Sequence, residues 1–194
     1  MQNKYKDTTL GIVEAVFNKL GGTEGVEAFL RGNVEITVVK HTIDLTKAPK
    51  LPFDGAEVVK HKGEGIVEIE LRSDDNLYIN GKKIELFLSE RQKGAKRIIG
   101  NELRQEIEDG KWILLNSNIL DYIFDHSELF PEHWKKDEAG ETRYIFFQGS
   151  VFRCPPNGNL FVRYFYWGVG SLDRDYGWLD GDWTRLKPSA LLAS

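Results

Sequence analysis

The spacing of apolar and polar residues changes several times along this chain, and each change marks an element. Leu10, Val13, Ala15, Val16, Phe17 and Leu20 recur at helical intervals behind the candidate caps Thr8 and Thr9. Gly21-Gly22 closes that helix. Thr23 is expected to cap a second one, whose Val26, Phe29 and Leu30 share a face before Gly32 stops it. Two such helices form a hairpin. Residues 34–39 are rich in β-branched side chains and predict a strand. Residues 41–55, with Pro49 and Pro52, predict a surface loop long enough to suspect a function. Strand character returns from Val58, and Val67-Glu68-Ile69-Glu70-Leu71 alternates strictly, so one of its faces meets solvent. Residues 77–88 predict a hairpin about Asn80-Gly81, a pair suited to a type I′ turn.

The pattern then turns helical again. Residues 89–100 are a basic connection, and residues 102–109 form a helix between Asn101 as cap and Gly110 as stop. Asn118 is expected to cap a helix running to Phe124, with Asp121 in the place of a capping-box partner and Ile119, Leu120, Ile123 and Phe124 as its buried stripe. Pro131 opens a short helical turn. The C-terminal third is the most distinctive part. Residues 144–152 and 160–167 are two strands joined through Pro155-Pro156-Asn157-Gly158-Asn159, where proline cannot donate and Asn-Gly accepts positive φ. In the second strand Leu160, Val162, Tyr164 and Tyr166 share one face, and Phe161, Arg163, Phe165 and Trp167 the other. Neither face is polar, so both are covered or one is an aromatic binding surface. A third arm spans residues 173–183, and residues 188–193 predict a terminal helical turn.

The fold class expected is therefore α+β: an N-terminal helical hairpin, a small antiparallel sheet, connecting helices and a C-terminal antiparallel aromatic meander. Residues 1–32 are expected to pack as the hairpin on a single α+β domain, residues 33–194, with the meander over residues 142–194.

Composition narrows the function classes. With 194 residues a core stands without disulfides or metals, and the single Cys154 excludes an intramolecular disulfide. A net charge of −4 gives no field for duplex DNA. No apolar run is long enough for a signal peptide or a membrane span, so cytoplasmic residence without membrane contact is expected. Motifs are scarce. Gly94-Ala95-Lys96 lacks the spacing of a phosphate loop, Gly149-Ser150 and Gly170-Ser171 lack the flanking glycine of a nucleophile elbow, and the RNP-type signature is absent. His41, His61, His126 and His133 fall in no ligand pattern, so neither a metal nor any other cofactor is expected.

Two chemistries remain. Arg163, Tyr164, Tyr166, Trp167, Tyr176, Trp178 and Trp183 offer flat aromatic faces with a cation, which suits recognition. Arg143, Arg153, Arg163, Arg174 and Arg185 recur about every ten residues, either as solvated strand ends or as a basic stripe. The leading expectation is a non-enzymatic binding module with a protein partner, a glycan or single-stranded nucleic acid being the other ligands such a surface suits. The alternative is a hydrolase of a glycan or nucleotide, with Asp173, Asp175, Asp180 and Asp182 supplying an acid and a base.

Several segments, NSNILDYIFDHSELFPEHWK, IFFQGSVFR, NGNLFVRYFYW, YGWLDGDW and the closing PSALLAS, together with LGGTEGVEAFLRG and IIGNELRQEIEDG, resemble a group of uncharacterised bacterial proteins over most of the chain. The resemblance implies a self-contained bacterial protein and no particular activity, cofactor or catalytic residue.

Overall fold

The computed structural model describes residues 10–33 and 40–193. The chain divides into two compact units, Met1–Val39 and Lys40–Ser194. Within the first, α1 (Leu10–Lys19) and α2 (Gly22–Leu30) form the expected hairpin. Gly21, not Thr23, occupies the cap of α2, its φ of 86° making the reversal that L side chains resist. The caps expected at Thr8 and Thr9 and the strand expected at residues 34–39 lie outside the described residues.

The second unit carries β1 (His41–Asp44), β2 (Glu57–His61), β3 (Ile66–Leu71), β4 (Leu77–Ile79), β5 (Lys82–Phe87) and β6 (Ile98–Ile99). It continues with α3 (Gly100–Asp109), β7 (Ile113–Leu114) and α4 (Ser117–Asp125), then β8 (Tyr144–Arg153), β9 (Leu160–Trp167), β10 (Leu172–Trp178), β11 (Asp182–Trp183) and β12 (Ser189–Leu192). One ten-stranded sheet runs in the order β1-β3-β4-β5-β12-β8-β9-β10, with β2 added to β8 and β7 to β12, while β6 and β11 form a separate pair. The fold is α+β, as the pattern predicts. The β4–β5 hairpin turns at Asn80 and Gly81 with φ of 48° and 76°, the double positive φ of a type I′ turn. Among the described residues no helix is long and apolar enough to cross a membrane.

Several details differ from the sequence reading. His41–Asp44 is a strand paired with β3, not the start of a loop. Asn116 caps α4 by accepting from the Asn118 N–H, and Asn118 donates instead to the carbonyls of Asp44 and Lys47. Helix α3 begins two residues early, with Ile99 at its cap. The largest difference is at the C-terminus, where the expected helical turn is β12. This strand pairs antiparallel with β5 and β7 and parallel with β8, so the C-terminus joins the N-terminal hairpins to the meander.

At β8 and β12 the sheet is covered on both faces, whereas β3 keeps one face exposed. Ile145 and Phe147 of β8, with Ala190 and Leu192 of β12, enter a core built on α4, Leu129, Phe130 and Trp134. The alternate residues Phe146 and Leu191 enter a second core with α3, Ile98, Leu179 and Trp183. Alternating side chains thus serve two cores, which is why both strands read as continuous apolar runs.

Helix α3 is also held by charge. Glu108 accepts from Lys62 at 2.9 Å and Lys60 at 3.1 Å, and pairs with Arg104 at 3.2 Å. The hydrogen bond from Lys62 above all, then that from Lys60 and the charge of Arg104, outweigh burial and hold this carboxyl down at about 2.

Leu191→Ala removes the side chain β12 sends into the second core and is expected to cost about 2–5 kcal/mol, read from urea denaturation. A carboxyl held below its unfolded-state value adds stability above that value and loses it as pH falls through the folded one. Glu108→Gln is therefore expected to be less stable than the parent at pH 7 by about 1–2 kcal/mol, the figure being reduced for solvent screening. The gap should close as pH falls from about 5 to about 2. A constant gap across that range would exclude ionised Glu108 as the cause.

Candidate functional site

The β9–β10 register assigns the aromatic and charged residues of the meander to two faces. Asp173 stands opposite Tyr166, Asp175 opposite Tyr164 and Gly177 opposite Val162. On the other face Arg174 stands opposite Phe165, Tyr176 opposite Arg163 and Trp178 opposite Phe161.

This second face is closed by α4 and by the chain after β1. Asp121 of α4 accepts both terminal nitrogens of Arg163, at 2.8 and 2.7 Å, and a third hydrogen bond from Arg174 at 2.6 Å. The Arg163 and Asp121 side chains are 4% and 7% exposed, so the pair is desolvated and depends on its bidentate geometry. Arg174 is less buried and lies over the Phe124 ring, 4.1 Å from its centroid. Tyr176 and Trp178 are half-buried around Phe161, and Phe53 stacks on the same ring at 5.4 Å.

The first face is different in kind. Phe146 packs against Trp183 at 4.0 Å and Tyr164 at 4.7 Å between centroids. It fits because residue 177 is glycine: a Cβ there would lie 2.6 Å from the Phe146 ring. Trp183 is therefore core, 1% exposed, with its indole N–H donated to the Trp178 carbonyl. Outward from it come Tyr144, Tyr164 and Tyr166, each half-buried and within 5.2–6.1 Å of one another. Burial first, then the charge of Asp175, pushes the Tyr164 hydroxyl up to about 12.

At the end of this face lies a groove of about 760 Å³. Tyr144, Tyr166 and Trp167 wall it, Gly168 and Val169 edge it, and Glu132, His133, Lys135 and Lys136 complete its lining. Lys135 sits 3.7 Å from the centre of the Trp167 ring while paired to Glu132 at 2.6 Å. Phe130 packs on the same indole at 5.7 Å, so the wall is fixed by neighbours on two sides. The His133 imidazole pairs with Asp75. Lys136 has no ion pair among the described residues.

The remaining candidates are spread out. Asp182 pairs with Arg97, Asp175 accepts from Tyr164 and from the Tyr176 N–H, and Asp173 lies beside Gly168. Asp180 is an exposed turn residue. The arginines form no stripe: Arg143 donates to the His133 carbonyl, Arg153 pairs with Glu57, Arg185 with Asp137 and Glu141, and Arg163 and Arg174 with Asp121. Cys154 is a half-buried free thiol against the Phe152–Phe161 cluster.

One arrangement escaped the sequence reading. His61 Nδ1 lies 2.8 Å from the Ser150 hydroxyl, a spacing shared with nucleophile–base pairs. Here it is structural. Ser150 is fully buried, and its oxygen also accepts from the Ser117 N–H and hydroxyl, at 2.9 and 3.0 Å. With its lone pairs taken, the hydroxyl has neither access to a substrate nor freedom to attack one.

Removing one partner of a desolvated pair leaves an unmatched buried charge. Asp121→Asn is therefore expected to destabilise by about 3–5 kcal/mol, and the double variant Asp121→Leu, Arg163→Leu to be more stable than Asp121→Asn. Denaturant midpoints of the two variants test this; a double variant as weak as the single one would mean the pair is not the dominant contact. Comparison of the chain with protein-family models, with curated proteins and with solved structures gave no match.

Proposed function

We propose that this chain is a binding module without a catalytic centre, and that the groove walled by Tyr144, Tyr166 and Trp167 takes an extended protein segment bearing carboxylates beside apolar side chains. The observation that carries this reading is that these aromatics face a groove beside Lys135 and Lys136, whereas Phe161, Phe165 and Trp183 are consumed by packing. Rigid aromatic side chains lose little conformational freedom on contact and give large contact areas, which favours them as anchors. The lysines select for acidic groups, and whereas Lys135 is paired with Glu132, Lys136 has no ion pair among the described residues. A nucleic-acid backbone fits less well. The chain is acidic overall, and Asp173 and Asp175 stand beside Tyr164 and Tyr166 on the same face, where they repel a line of phosphates.

Selection from a random displayed-peptide library tests the proposal, with a single-stranded oligonucleotide and an oligosaccharide mixture titrated in parallel. Peptides rich in Asp or Glu next to aliphatic residues are expected, with Kd in the range of about 1–100 µM. Tyr166→Ala and Lys136→Glu should each weaken them at least about tenfold, or 1.4 kcal/mol, at unchanged melting temperature. Peptides that bind both variants as tightly as the parent would place recognition elsewhere. Saturable binding of the oligonucleotide or the sugars alone, lost in the same variants, would keep the groove and overturn the protein partner.

A further inference from the structure

The fold brings together two histidines that are 85 positions apart in sequence. His41 opens β1, His126 follows the last turn of α4, and Glu128 lies two residues further on. One ligand atom from each of the three lies within 4.8 Å of the others. We propose that His41, His126 and Glu128 form a site for a divalent transition-metal ion of the zinc or nickel type, with the remaining coordination positions open to solvent.

Three independent features support the site. The first is ligand type. Imidazole nitrogen with one carboxylate suits borderline ions such as Zn²⁺ and Ni²⁺, whereas Mg²⁺ and Ca²⁺ prefer an all-oxygen shell. The second is spacing. His126 Nδ1 and a Glu128 carboxylate oxygen stand 3.2 Å apart. Metal–ligand bonds of about 2.0–2.1 Å at tetrahedral or octahedral angles place neighbouring ligand atoms about 3.0–3.4 Å apart, so this spacing matches two ligands of one ion, which would replace the hydrogen bond now joining them. His41 then has to close the rest of the distance by side-chain rotation.

The third is outer support. The Tyr122 hydroxyl lies 3.1 Å from His41 Nδ1, which orients that ring and leaves Nε2 as its ligand atom. The Tyr122 ring also stacks on His126 at 4.4 Å, while the two imidazoles meet edge-on at 5.2 Å. Both residues are half-buried and both rings touch the same tyrosine. The ion would also sit at the C-terminal end of α4, where the unpaired carbonyls favour positive charge. His133 belongs to a separate contact with Asp75, which makes it an internal control.

Isothermal titration of the full chain with ZnCl₂, after stripping with chelator and dialysis, tests the assignment. One equivalent is expected to bind with Kd of about 10 µM or tighter. His41→Ala and His126→Ala should each weaken binding at least tenfold, and His133→Ala should leave it unchanged. Melting temperatures in excess chelator establish that the variants fold. Glu128 is exposed, so Glu128→Gln gives a variant in which the fold is not at stake, and it too should weaken binding. MgCl₂ should give no saturable heat. Absence of zinc binding, zinc affinity unaltered in both histidine variants, equal loss in His133→Ala, or magnesium binding of equal strength would each overturn the site.

Discussion

In the middle of the sheet the backbone of Ser189–Leu192 satisfies hydrogen bonds on both sides, and the elements before it depend on that. Strand β5 pairs along one side of this segment, and β8 followed by β7 along the other. The preceding residues extend the contact: the Tyr144 and Phe146 N–H groups donate to the carbonyls of Leu186 and Pro188. Without this segment the β3–β4–β5 hairpins have no ladder partner toward the meander. Two open sheet edges would then replace one continuous sheet, each exposing donors and acceptors that burial forbids. The strand is short, but every residue in it is buried, and its side chains alternate between the two cores.

The second organising contact is electrostatic. One carboxylate, Asp121, meets two guanidinium groups from adjacent strands and so ties α4 across β9 and β10. The same contact takes the buried Arg163 out of any recognition surface and leaves Arg174 at the surface. The third hydrogen bond, from the half-exposed Arg174, helps satisfy a carboxylate that the bidentate pair alone would leave with idle lone pairs. Glu108 has the parallel role on the opposite helix, gathering Lys60, Lys62 and Arg104. Both helices are thus placed by apolar stripes and fixed in position by one acid each.

These two arrangements decide which aromatics stay available. On the helix-covered face of the meander the rings pack into cores. On the other face Phe146 and Trp183 fill the inner part, and the chain runs out of covering elements beyond Tyr144 and Tyr166. The groove is the place where the sheet outruns its layers, and lysines border it together with the exposed Val169. The paired histidines lie at another such margin, where the last turn of α4 meets the first strand of the unit.

Elements with short-range signals were legible in the chain alone. Asn80-Gly81 specifies a hairpin because only a few residues accept two positive φ values in succession. The helical stripe of Ile119, Leu120 and Ile123, and the two faces of β9, follow from periodicity alone. Tertiary structure decided the rest. Ser189-Ala190-Leu191-Leu192 contains good helix formers in an unbroken apolar run, which has no period to distinguish helix from strand; only the open edges of β5 and β8 make it a strand. With Asn118 read as the cap, Asp121 falls at a capping-box position, yet Asn116 is the cap and two arginines far along the chain claim Asp121. Of seven aromatic and basic residues with the same chemistry in the sequence, burial removed Arg163 and Trp183 and placed Tyr166 and Trp167 at the groove. His41 and His126 carry no short-range signal at all, because their proximity comes from β1 docking against α4 and not from spacing along the chain.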